Sequence, residues 1–397
     1  MLIHSDALLL APDHVLRPGR LRVSGRTICE VDTDLRLQPG EEILELPGVT
    51  LAPGFLNLHA HLELEPLHGK IPSGLPFAEW LRRILSLLPS LHSTSRTGSI
   101  IESSRRAAES GTTTILNIVS DPAALAGLAG TLPRIWWALE FMDLHGDPEP
   151  ARKMERLTAW LSRHPGADWR PALSPHAPYS ASPDLYRECA RLASELHAPF
   201  TTHWAESAEE EELFLTGQGA LRPLLSASWV PGTLSDRMES MPPGALLAHG
   251  NRLVEQDLRN LSARGGTIVH CPTSHAWFGR EPFCLEKFRS HKIPVALGTD
   301  SPASSHNRNF DLRMEARAFL QAHPKVSPGE IWSMLTTLPA KALGQEGKLG
   351  VLQPGAEADW VGWRIGSSED PFSAILESAD PAAIVSVAGQ LYRPERL

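Results

Sequence analysis

The chain has 397 residues, 42% of them hydrophobic and 21% charged, enough to bury a large core and to build one big α/β barrel or two to three ordinary domains. Its formal net charge of -9, without a basic cluster, argues against nucleic acid or an anionic membrane surface as the main partner and favours a small molecule. Four scattered cysteines with no CxxC pair suit free thiols in a reducing compartment, so the expected location is the cytoplasm.

The first stretch, MLIHSDALLLAPDHVLRPG, has a short apolar run, but Asp6 precedes it and Pro12 and Asp13 cut it off, so it reads as a strand rather than a signal peptide. No uninterrupted apolar run reaches the roughly 18 residues of a membrane span. The segments LIHSDALLLA, RLRVSGRTICEVD and EEILELPGV are strand-and-turn sequence, and GVLQPGAEADWVGWRI and AAIVSVAGQLYRP repeat that character near the other end. The simplest arrangement joins residues 1–52 and 345–397 in one small β-sandwich, with 53–344 inserted between them.

Within the insert, apolar runs alternate with helical patterns. The expected strands are 54–61, 112–119, 134–141, 170–174, 199–204, 245–249, 267–271 and 294–298, separated by amphipathic stretches such as FAEWLRRILSLL, PDLYRECARLASELH and VEQDLRNLSARG. Eight βα units of this length predict a (β/α)8 TIM barrel, so the fold class is α/β. The run Glu209 to Glu212 reads as the solvated first turn of a helix.

Barrel active sites gather at the C-terminal ends of the strands. Here those ends carry His59 and His61 on the first, His203 on the fifth, His249 on the sixth and Asp300 just past the eighth. In an extended strand His59 and His61 project the same way and can grip one ion. A single strand histidine is usually packed or hydrogen-bonded, but four histidines and an aspartate at the ends of four different strands point to a metal site. Imidazoles with a carboxylate suit zinc, with iron(II) as the alternative.

The motifs PGFLNLHAHLE, SPHAPYS at 174–180, HWAE at 203–206, AHGNRL at 248–253, HCPTSH at 270–275 and GTDS at 298–301 together resemble the amidohydrolase superfamily. Within it they are similar to the branch of cytosine, guanine and adenosine-type aminohydrolases and s-triazine chlorohydrolases. The resemblance runs from the N-terminal β segment through GVLQPGAEADW. It implies that His59, His61, His203 and Asp300 bind one divalent metal ion per chain, that Glu206 shuttles protons, and that His249 orients water or polarises the substrate. It also implies that Asp300 helps hold the attacking water, and that His176 faces the substrate. A homodimer is the family-level expectation. The carboxylated lysine that bridges two metals in other members has no counterpart, since no lysine lies between Lys153 and Lys287.

The implied reaction is hydrolytic deamination of an aminated heterocycle. A chlorohydrolase or N-acyl hydrolase working through the same activated water is the alternative, and an inactive relative acting as a binding protein is a second. The loop after the first strand resembles the one that covers the ring in nucleoside-type deaminases, so Trp80 is a candidate to stack on a heterocycle; otherwise it packs the following helix. The ribose-binding glutamate of adenosine-type members is missing beyond this tryptophan, where RRILSLLPS holds no acid. HLELEPLHGKIP and HCPTSHAWFG look most like aminodeoxyfutalosine deaminases, which makes Glu63 and His275 candidate substrate contacts, with loop or strand structure as the alternative reading of each.

Overall fold

The computed structural model describes residues 1–125, 128, 133–143, 150–163, 169–226, 234–366 and 368–394. Strands β1 (Leu2–Ala11), β2 (His14–Leu16), β3 (Gly19–Ser24), β4 (Thr27–Asp32) and β5 (Ile43–Pro53) open the chain. The barrel strands are β6 (Phe55–Ala60), β7 (Thr112–Val119), β8 (Arg134–Phe141), β9 (Trp169–Pro175), β10 (Thr201–Trp204), β11 (Leu246–His249), β12 (Thr267–His270) and β13 (Val295–Leu297). Strands β14 (Trp360–Trp363), β15 (Ile384–Val387) and β16 (Gln390–Tyr392) end it.

Both chain ends meet as expected. β14 pairs antiparallel with β5, and the path β16-β15-β14-β5-β1-β3-β4, with β2 on β1, makes one continuous eight-stranded sheet around its own apolar cluster.

The eight expected barrel strands are all present, each within a residue or two of its expected range. They pair in parallel as β6-β7-β8-β9 and β10-β11-β12-β13, and isolated parallel bridges Leu173↔Phe200 and Ala60↔Asp300 link the two halves into a ring. Helices on the outside and a filled interior bury both faces of such strands, which is why they read as unbroken apolar runs. Alternate side chains, including Leu56, Leu58, Leu116, Ile118, Trp136 and Ala138, meet in the interior. The intervening set, such as Ile135, Trp137 and Leu139, packs against the helices.

At the base of the barrel Arg134, 1% exposed, donates to Asp359 at 3.2 Å and to Glu357 at 3.1 Å, tying β8 to the end sheet. Helices Leu312–Ala322, Pro328–Leu335 and Thr337–Ala342 fill the stretch between β13 and the end sheet, which carried no sequence expectation. Among the described residues no helix is long and apolar enough to cross a membrane, and all four cysteines are free.

Candidate metal centre and its cavity

The chemistry collects where the strands stop. His59 lies near the end of β6, His61 one residue past it, His203 on β10, His249 at the end of β11, and Asp300 beyond β13. His59 Nε2 is 3.6 Å and His61 Nε2 3.8 Å from Asp300 Oδ1, and the Nε2 atoms of His61 and His203 lie 3.3 Å apart. His59, His203 and His249 form a second triad, with donor atoms within 4.8 Å of one another, as do those of His59, His61 and Asp300. Three strand ends are bent into this arrangement by left-handed backbone: φ is +49° at Ala205, +73° at His249 and +56° at Asp300. Gly298 lets β13 approach closely, since a Cβ there would sit 2.8 Å from the His59 Cβ.

The donor set fits a divalent cation on the structure's own terms. His59 is fully buried, yet neither of its ring nitrogens has a hydrogen-bond partner, an arrangement that is costly unless something binds there. Burial lowers the pKa of His59 and, helped by neighbouring imidazoles, holds His61 well below the usual range, which leaves neutral rings able to ligate. Burial opposes ionisation of Asp300, but the close His59 ring, 3.6 Å away, and the nearby His249 outweigh this and hold its carboxyl well below the usual carboxylate range. Ser274 Oγ donates to Asp300 Oδ2 at 2.6 Å and Ser304 Oγ at 3.1 Å. His203 Nδ1 lies 2.8 Å from the His176 carbonyl, which fixes the ring and leaves Nε2 towards the cluster.

Glu206 sits just before the helix Ala208–Thr216, whose N-cap Ser207 accepts from the Glu210 amide. Its Oε2 lies 3.7 Å from His249 Nε2, and its Oε1 accepts from Arg280 Nη2 at 2.8 Å. Burial raises the Glu206 pKa, opposed by Arg280 and His203.

A cavity opens above the cluster, with His61, His203, His249 and Asp300 in its floor. The helix Phe77–Leu87 lends one apolar stripe to the wall, through Phe77, Trp80, Leu81 and Ile84. Trp80 stacks on Phe77 with ring centroids 5.7 Å apart, and its Nε1 donates to the Ala303 carbonyl at 3.0 Å. The opposite end is polar. Glu63 Oε1 accepts from Arg96 at 2.8 Å and from the Ser120 hydroxyl at 2.6 Å, whereas its Oε2 has no partner. Burial raises the Glu63 pKa against the pull of Arg96. His176 faces the cavity, and its Nδ1 lies 2.5 Å from Ser180 Oγ.

Of the ten residues singled out from the sequence, the structure therefore gathers His59, His61, His176, His203, Glu206, His249 and Asp300 at one centre, with Trp80 and Glu63 on the cavity wall. It does not bring His275 there. That ring lies outside the lining, 3.1 Å from Asn251 Oδ1 and 2.8 Å from the Glu281 carbonyl, because the residues after β12 turn into the helix Pro272–Trp277 instead of running on extended. Glu140, Ser274 and Arg280 went unnoticed. Glu140 had a signal: it continues the inward-facing series Trp136, Ala138 and is the one acid in that strand, whose only other charged residue is Arg134 at its start. Burial pushes its carboxyl up to about 7.

A barrel with histidines and an aspartate clustered at its strand ends defines a metal-dependent hydrolase of the TIM-barrel type. The profile of the amidohydrolase family matches residues 50–389, and the chain belongs to that family. It is 27% identical over 374 residues to the 5-methylthioadenosine/S-adenosylhomocysteine deaminase of Pyrococcus abyssi, covering 90% of this chain and 84% of that one. Its fold superposes on Helicobacter pylori aminofutalosine deaminase with a TM-score of 0.83 at 21% identity, covering 98% and 99% of the two chains. It also superposes on the zinc complex of Arthrobacter aurescens atrazine chlorohydrolase with a TM-score of 0.81 at 21% identity, covering 98% and 94%.

Proposed function

We propose that this chain is an aminohydrolase that releases ammonia from an aminated heterocycle of purine type, with one zinc ion held by His59, His61, His203 and Asp300. The observation that carries the reading is the position of Glu206, a buried carboxylate beside the donor cluster, with one oxygen tied to Arg280 and the other turned to His249. A divalent cation held at this cluster would lower the pKa of a bound water molecule to about 7.

The chain's own groups then do the rest. Glu206 Oε2 takes one proton from the attacking water and gives it to the ring nitrogen, then carries the hydroxyl proton of the tetrahedral adduct to the amine, so that the C–N bond breaks, the carbonyl forms, ammonia leaves and the carboxylate is restored. His249, neutral because burial holds it well below the usual imidazole range, orients the water or the substrate nitrogen. Asp300, kept ionised, holds the water from the other side. Trp80 and Phe77 offer the ring an aromatic wall, and the unpartnered Glu63 Oε2 offers an acceptor to substrate donors at the far end.

The test is metal-loaded protein screened for ammonia release against aminopurines, their nucleosides and aminodeoxyfutalosine. Release from at least one is expected. Chloride release from chlorinated rings, or carboxylate release from acylated amines, with no ammonia from aminated ones, overturns the deaminase reading. A protein that takes up no metal is the inactive binding relative. The division 1–52, 53–344 and 345–397, the cytoplasmic setting suited to four free thiols, and a homodimer belong to the same proposal.

A further inference from the structure

Two segments reach Glu206, one after β12 and one after β11. Arg280 Nη2 donates to Glu206 Oε1 at 2.8 Å, in a pair whose side chains are only 11% and 7% exposed. The guanidinium is held against two rings, 4.3 Å from the centroid of Phe278 and 5.9 Å from that of Phe77. Gly279, at φ +60°, makes the turn that delivers it. The turn after β11 acts on the main chain, where Asn251, in contact with His275, donates from Nδ2 to the Glu206 carbonyl at 2.9 Å. From the other side the Glu210 carboxylate accepts the Glu206 amide at 2.7 Å and the Ala205 amide at 3.3 Å. Glu206 is thus gripped at its amide, its carbonyl and one carboxylate oxygen.

We propose that Arg280 is a positioning residue for the proton shuttle: by occupying Oε1 it leaves Oε2 as the oxygen through which the proton enters and leaves. A free carboxylate rotates broadly about its last torsion, so either oxygen could face the water or neither. A planar guanidinium held against rings removes that freedom, which a flexible ammonium would do less well. His275 belongs to the same device as a prop for Asn251. Arg280 itself does not line the cavity, so its effect passes through Glu206.

This inference rests on Glu206 being the shuttle, and its test is arranged to fail separately from the deaminase reading. Arg280→Met and Arg280→Lys are compared with wild type on whichever substrate the screen identifies. The expected result is that Arg280→Met lowers kcat by about 10²-fold, the scale of a small misplacement at a reacting centre, with KM and metal content little changed. Arg280→Lys recovers part of the loss, as does added guanidinium with Arg280→Met. A kcat near wild type in Arg280→Met, or a loss lying in KM or in metal content, overturns the proposal. A crystal structure of Arg280→Met reads the same point without turnover: the carboxylate is expected to swing away from His249, and a carboxylate left in place overturns it. Chloride released in place of ammonia sinks only the deaminase reading.

Discussion

Replacing Glu206 by glutamine separates the roles of ligand and shuttle. The amide has nearly the shape of the carboxylate, and its oxygen can still accept from Arg280, now 2.8 Å from Oε1. The amide nitrogen then stands where Oε2 was, 3.7 Å from His249 Nε2, and it cannot take up a proton from water. None of the donor atoms around the metal position is touched. The variant should therefore keep its metal and lose what a positioned acid–base group supplies, about 10²–10⁴ in kcat, or roughly 2.7–5.5 kcal/mol of barrier. The assay is kcat at saturating substrate on protein whose metal content has been measured by emission spectroscopy. Full activity, or activity lost together with the metal, refutes the reasoning.

Ser274→Ala removes the 2.6 Å hydrogen bond that orients Asp300 and should weaken metal affinity by about 10–100-fold, read by competition with a chelator; unchanged affinity contradicts the role given to Ser274. Arg134→Met leaves Asp359, 2% exposed, without its ionic partner, and should cost about 3–5 kcal/mol in urea unfolding; a smaller loss means that water reaches the pair. Burial holds His270 well below the usual 6.5, so as pH falls below 6.5 the unfolded chain takes up a proton that the folded chain refuses. Stability is thus full above that pH and declines below it, by at most about 1.4 kcal/mol per pH unit from this group. His270→Phe, which can keep the 3.8 Å stack on Phe283, should remove that share of the slope in unfolding free energy against pH; identical slopes refute it.

How much was legible depended on whether the informative residues were local. The barrel strands declared themselves because burial on both faces makes each an apolar run, as in TTTILNIV or RIWWALEF. The five histidine and aspartate positions at the centre were legible because strand ends are where barrel chemistry sits. Arg280 was not. It stands seventy-four positions beyond the carboxylate it holds, on a turn whose path depends on one left-handed glycine, and nothing in FGREPF distinguishes it from a surface arginine. His275 misled for a related reason: its motif suggested a substrate contact, while the short helix Pro272–Trp277 carries the ring away from the cavity. Glu140 could have been read, since a lone acid in register with interior positions has to face either a ligand or a partner.

The left-handed backbone at Ala205, His249 and Asp300 places a conflict between durability and chemistry within the catalytic face. Such conformations cost non-glycine residues of the order of 1–3 kcal/mol each, and the barrel below must supply that stability from its packed interior. Glycine at any of the three would relax the turn, yet at His249 and Asp300 it would delete the group that the turn exists to aim. Only Ala205 is free to change. A descendant that abandoned the reaction could become sturdier by relaxing all three turns, so in this scaffold retained strain at these strand ends is itself a mark of a working site.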